Sequence, residues 1–110
     1  MKTFGQVLTE ARKRAGLTQK EVAERLRRED GMPVDAPYLN AIEHDRRLPP
    51  TNHLIEQLAK IIGISADILF YRAGRMPSDI RGELEHERVE AAYEAFRKAF
   101  RDAKSGKKRG

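Results

Sequence analysis

The chain has 110 residues, 22 Lys and Arg against 17 Asp and Glu, a formal net charge of +5 and no cysteine, with a pI near 9.7. That length holds one domain of ordinary size and an appendage; the basic balance favours a polyanionic partner; the missing thiols exclude disulfide scaffolds, cysteine nucleophiles and thiolate metal sites. The opening Met1-Lys2-Thr3-Phe4-Gly5 lacks a signal-type apolar core, and no apolar run nears the roughly 20 residues of a membrane span, so a soluble, cytoplasmic protein without membrane association is expected.

In chain order, Phe4, Val7, Leu8 and Ala11 recur at spacings of three and four, which predicts an amphipathic first helix ending at Gly16 with Arg12 on the edge of its apolar face. Thr18-Gln19-Lys20-Glu21 has the capping-box pattern and opens a second helix carrying Val22, Ala23 and Leu26. The basic residues Arg12, Lys13, Arg14, Lys20, Arg25, Arg27 and Arg28 cluster here, and for Lys13, Arg14 and Arg25 a solvated helix face is the simplest reading. Asp35-Ala36-Pro37 opens a third helix, with either Asp35 or Ala36 as cap and Pro37 in the first turn, where its missing amide is not needed. On that helix Leu39 and Ile42 share a buried side, leaving Tyr38, Asn40, Ala41 and His44 for other faces.

Thr51 and Asn52 are expected to cap a fourth helix bearing Leu54, Ile55, Leu58, Ala59 and Ile62, closed by Gly63; Ser65 caps a fifth with Ile68, Leu69 and Tyr71. Ser78 is read as the cap of a long helix running to about Lys104, rich in the good helix formers Glu and Ala. Along it Val89, Tyr93, Phe96, Phe100 and Ala103 form a heptad-like stripe, while Ile80 and Leu84 are out of phase and are expected to pack on the globular part. The fold class is all-α, with no credible strand: a five-helix domain over residues 1–75, a C-terminal helix over 76–104 and a disordered basic tail over 105–110.

Leu8, Arg12, Gly16-Leu17-Thr18-Gln19, Val22-Ala23, Leu26, then Tyr38-Leu39, Ile42-Glu43, Arg46-Arg47, Pro49 and Leu58-Ala59 stand in an order that resembles the Cro/repressor-type helix-turn-helix family, also called the XRE family, over roughly residues 4 to 71. The resemblance implies a lambda-repressor-like DNA-binding domain in which Arg12 pairs with Glu43 of the recognition helix. It places Ala36, Pro37, Asn40 and Ala41 toward base edges, flanked by Tyr38 and His44, and Arg46 and Arg47 near the phosphate backbone. Thr18, Gln19 and Lys20 at the start of the second helix and Thr51 and Asn52 at the start of the fourth complete the expected DNA-contacting set. Asn40 alone among the base-facing residues can make a bidentate contact with adenine, and no Arg is placed to read guanine.

Two departures from the family pattern stand out. Asp45 replaces a frequent Gly, so the recognition helix must exit through a residue that accepts left-handed geometry less readily. Ala23 and Glu43 also stand about six residues further apart than is usual for the family. The extra segment, around Arg27 to Asp35 with the breakers Gly31 and Pro33, reads as a spacer: a lengthened second helix and a looser loop with Met32 or Val34 against the core. A phosphate contact through Arg27 or Arg28 is the alternative.

No catalytic constellation emerges. Glu85-His86-Glu87 lacks HExxH spacing, there is no glycine-rich phosphate loop and no triad context, and His44 and His53 read as groove-facing and surface residues, so neither enzyme activity, metal nor cofactor is expected. The sequence reads as a sequence-specific DNA-binding transcriptional regulator, a repressor binding a palindromic operator in double-stranded DNA as a homodimer. Val89, Tyr93, Phe96 and Phe100 are the expected dimerisation residues, with folding of this helix back onto the domain as the alternative. An antitoxin-like or adaptor module, with a protein partner on the C-terminal helix, is the alternative.

Overall fold

The structure is a computed structural model and describes residues 1–80 and 84–106. Within those residues it is all-α: α1 (Phe4–Arg14), α2 (Gln19–Arg25), α3 (Ala36–Glu43), α4 (Asn52–Ile62), α5 (Ala66–Ala73), a single 3-10 turn at Ser78–Ile80, and α6 (His86–Lys104). Thr3 and Thr18 both make complete capping boxes, with Gln6 and Glu21 returning to the cap amides. Asp35 is the cap of α3, accepting from the Tyr38 amide at 2.9 Å, so Ala36 and Pro37 occupy the first turn. Thr51 caps α4 alone. Asn52, expected to share that task, is already helical, and its amide turns away to donate to the Met76 carbonyl at 3.3 Å and the Ser78 hydroxyl at 3.4 Å.

The core draws on all of the first five helices, with Leu8, Val22, Leu26, Leu39, Ile55, Leu58 and Leu69 fully buried. Each such aliphatic side chain contributes roughly 1.5 to 3 kcal/mol by leaving water. α4 packs against α5 and α2, and α3 against α1 and α2. In α5 the buried pair is Leu69 and Phe70, while Ile68 and Tyr71 face outward. The expected stripe through Ile68 and Tyr71 is thus rotated by about one residue.

Residues 27 to 34 differ most from expectation. α2 is not lengthened: it stops at Arg25, and Leu26 turns extended into the core. Nor is the segment after Leu26 a loose loop. The Arg28 amide donates to the Met32 carbonyl and the Gly31 amide to the Arg28 carbonyl, both at 2.8 Å, with Gly31 in the left-handed conformation that the turn requires. An antiparallel bridge between Arg27 and Pro33 closes this small hairpin. Gln57 of α4 clasps it, donating to the Arg27 carbonyl at 2.6 Å and accepting from the Arg27 amide at 3.0 Å. Arg27 also donates through Nη1 to the carbonyls of Glu24 and Leu26, which α2 leaves unpaired at its end. Val34 is buried beneath the hairpin and Met32 is 58% exposed.

The C-terminal helix begins later than expected. Ser78 starts only a 3-10 turn, where its hydroxyl accepts from Asn52 at 3.4 Å; α6 starts at His86 behind Glu85, which makes no side-chain cap. Ile80 and Leu84, expected to pack on the domain, are 56% and 54% exposed. Of the expected tail, Ser105 and Gly106 form a turn and residues 107–110 lie outside the described residues.

Candidate nucleic-acid interface

The exposed side of α3 is held by a chain of hydrogen bonds that starts at a buried ion pair. Arg12 reaches from α1 and grips Glu43 with a two-pronged fork, Nε to Oε2 at 2.6 Å and Nη2 to Oε1 at 2.9 Å, while Nη1 donates to the Leu17 carbonyl at 2.8 Å. One guanidinium therefore fixes α1, the start of α2 and the end of α3 relative to each other. The pair is dry, with side-chain exposures of 9% and 1%.

From Glu43 the network runs outward. Gln19 donates to Glu43 Oε1 at 3.0 Å and accepts from Asn40 Nδ2 at 3.2 Å; Asn40 Oδ1 in turn accepts from Arg46 Nη2 at 2.6 Å. The Thr9 hydroxyl lies 3.1 Å from Glu43 Oε1. Asn40, the expected base reader, is thereby held by a neighbour on each side. Gln19, expected among the DNA contacts, bridges Glu43 and Asn40 through its side-chain amide. Among the described residues no buried side-chain nitrogen or oxygen is left without a partner.

The other expected contact residues are spread around this chain of hydrogen bonds. Pro37, His44, Arg46 and Arg47 are exposed; Ala36, Tyr38, Asn40 and Ala41 are half-buried. His44 Nδ1 sits 2.9 Å from the Asn40 carbonyl. Lys20 is exposed, while the Thr18 and Thr51 hydroxyls are occupied in capping α2 and α4. Arg47 lies over the Tyr38 ring, 5.5 Å from its centroid, and Arg28 of the hairpin lies over the same ring at 4.9 Å.

Several residues hold this surface through long-range contacts that escape a reading of the sequence. Asp45 does take the left-handed conformation, φ 56°, and its carboxylate accepts from the Thr3 hydroxyl at 2.5 Å and the Gly5 amide at 3.0 Å, so that it caps α1 from the exit of α3. Arg75 donates to the Pro49 and Pro50 carbonyls and ties the segment after α3 to the end of α5. Gln57 acts on main-chain atoms. Their only sequence signal is a polar side chain beside an apolar helix face, which many surface residues share.

Burial pushes the Glu43 carboxyl up, but the hydrogen bonds from Arg12 and Gln19, the Arg12 charge and Thr9 outweigh it and leave the group below its ordinary value. Bonding to Glu43 likewise raises Arg12. A depressed carboxyl stabilises the fold fully above its unfolded pKa, about 4.3, and that contribution is lost as the pH falls through the lowered folded value. The urea midpoint of the wild type should accordingly drop as pH falls below that range. In Glu43→Gln, less stable at neutral pH, the acid limb should be flatter; an equally steep limb would assign the acid sensitivity to other groups.

The helical domain that carries this surface resembles a known family. A family described as a helix-turn-helix domain matches residues 3–68. No curated protein and no solved structure matches the chain.

Proposed function

The chain belongs to the helix-turn-helix domain family, and on that premise we propose that it is a sequence-specific DNA-binding transcriptional regulator, acting in the cytoplasm as a homodimeric repressor on a palindromic operator. It works by binding, not by catalysis. The observation that carries this reading is the chain Arg12–Glu43–Gln19–Asn40–Arg46, which ends in an adenine-compatible amide and an exposed guanidinium on the outer side of α3. Asn40 is the base reader; Arg46, Arg47 and Lys20 meet phosphates; Pro37 and Ala36 offer apolar contact to a thymine methyl. Thr18 and Thr51 contribute through the helix starts they cap.

Selection from random DNA tests it. An enriched, roughly two-fold-symmetric motif is expected, with Asn40→Ala relaxing one base position per half-site by roughly 1 to 3 kcal/mol. Arg47→Ala should weaken every target alike. A pool without enrichment would end the proposal.

The dimer rests on α6, where Tyr93 and Phe96 are 45% and 59% exposed on one face and Phe100 reaches Tyr71 of α5 with ring centroids 6.0 Å apart. Such an aromatic face marks an interface, and Val89, Tyr93, Phe96 and Phe100 pair with the same helix of a second copy. That pairing sets two α3 helices about 34 Å apart. Phe96→Glu should yield a folded monomer with weak operator binding. Light scattering that finds the wild type monomeric at tens of micromolar, or the variant still dimeric, would place the interface elsewhere. The same exposed face favours a second reading, an antitoxin-like or adaptor role with a protein partner on α6, which predicts no enriched DNA motif.

A further inference from the structure

We propose that the inserted hairpin is a DNA-contacting arm in its own right, with Arg28 binding a backbone phosphate beside the one met by Arg47. The inference rests on the DNA-binding reading of α3. Arg27 and Arg28 are adjacent in sequence but have separate tasks. Arg27 is consumed by the fold, its guanidinium on the Glu24 and Leu26 carbonyls and its main chain in the clasp of Gln57. Arg28 points the other way, over Tyr38 on the first turns of α3.

Two guanidiniums, one from each side of α3 in the chain, thus converge on a single ring, Arg28 at 4.9 Å and Arg47 at 5.5 Å from the centroid. Neither is neutralised: the ion pairs among the described residues are Lys2–Glu10 and Arg12–Glu43. Each presents a planar fork of N–H donors of the kind that matches phosphate oxygens. The planar ring restricts the long side chains before any ligand arrives, which lowers the entropy lost on binding.

The carboxylates of the hairpin form no ion pair with Arg28. Asp30 accepts from the Met32 amide at 2.9 Å, inside the turn, and Arg28, Glu29 and Asp30 together border a shallow cleft against Thr51 and Leu54 at the start of α4. The charges of Arg27, Arg28, Glu29 and Asp30 cancel, so the hairpin exerts no attraction by bulk charge. The contact is made by one oriented side chain, and its ligand is a nucleic-acid phosphodiester.

The test is a salt series, between 50 and 200 mM, on the full chain with its selected operator. Each phosphate contact contributes about 0.9 to the slope of log affinity against log salt. Arg28→Ala, an exposed change that leaves the fold intact by circular dichroism, should flatten that slope by about this amount and weaken all sequences equally; Arg28→Lys, which keeps the charge, should retain it. Tyr38→Leu removes the platform, so Arg28→Ala should have a smaller effect in that background than in the wild type. A wild-type slope in Arg28→Ala, or a changed preference at one base pair, would overturn the phosphate contact, and strict additivity with Tyr38→Leu would overturn the role of the ring. Failure of the α3 reading looks different: there the wild type itself shows no salt-dependent operator binding.

Discussion

Arg12→Ala should lower the unfolding free energy by roughly 3 to 5 kcal/mol, because it leaves the Glu43 carboxylate buried with its main partner gone. The loss exceeds that of an exposed ion pair such as Lys2–Glu10, which water screens. The expected pattern in urea unfolding is asymmetric: either single removal is severe, whereas Arg12→Met with Glu43→Leu is close to neutral, since an apolar pair of similar volume avoids the desolvation of both charges. The double variant should nevertheless bind operator poorly. Without Glu43, Gln19 loses the acceptor that orients it, and Asn40 loses its registration. A single Arg12→Ala variant with wild-type stability would show that the buried carboxylate finds water or another cation, against the dry packing around Glu43.

The second large effect is expected at Gly5. Helix propensity alone favours Ala there by about 1 kcal/mol, but a Cβ on Gly5 would stand 2.4 Å from the Glu43 carbonyl oxygen, 2.6 Å from that of Ile42 and 2.7 Å from Asp45 Oδ1. Two of the three are main-chain atoms, which cannot rotate aside, and the Gly5 amide is itself bound to Asp45. Gly5→Ala should therefore destabilise by at least about 2 kcal/mol, by forcing α1 away from the end of α3. The same movement stretches Arg12 from Glu43, so combining it with Arg12→Ala should cost less than the two changes taken separately. A Gly5→Ala protein as stable as the wild type would mean that α1 and α3 can separate without consequence.

The contrast between these residues shows which parts of the fold are legible in the sequence. The caps at Thr18, Asp35, Thr51 and Ser65 and the apolar spacing of α1 and α4 are local rules that span one or two turns, and they locate the first five helices to within a turn. The all-α class follows from them. The family match to a helix-turn-helix domain agrees with the ordered positions from Leu8 to Leu58-Ala59. Contacts between distant residues are another matter. Nothing local to Arg27 says that Gln57, thirty residues on, will bind its main chain, so the segment reads as a spacer. Ser78 reads as a helix cap because its neighbours favour helix, yet Asn52 takes its hydroxyl. In α5 the choice between Tyr71 and Phe70 is a choice of one residue in phase, which eight residues are too few to decide. At the candidate interface, residue types can be assigned to α3, but not the fact that Asn40 is gripped by Gln19 and Arg46.

The clasp of Gln57 on Arg27 leaves this surface free to change. It reads an amide and a carbonyl and is indifferent to the side chains beyond them, while Val34 anchors the returning strand of the hairpin by burial. Between those two anchors the tip is an exchangeable cassette. Its length and charge can be rewritten without disturbing a core residue, since Arg28 to Met32 are all exposed. A lineage or a designer could lengthen it, or exchange Glu29 and Asp30 for cations, and so, under the proposed function, tune the hold on any duplex independently of the residues on α3.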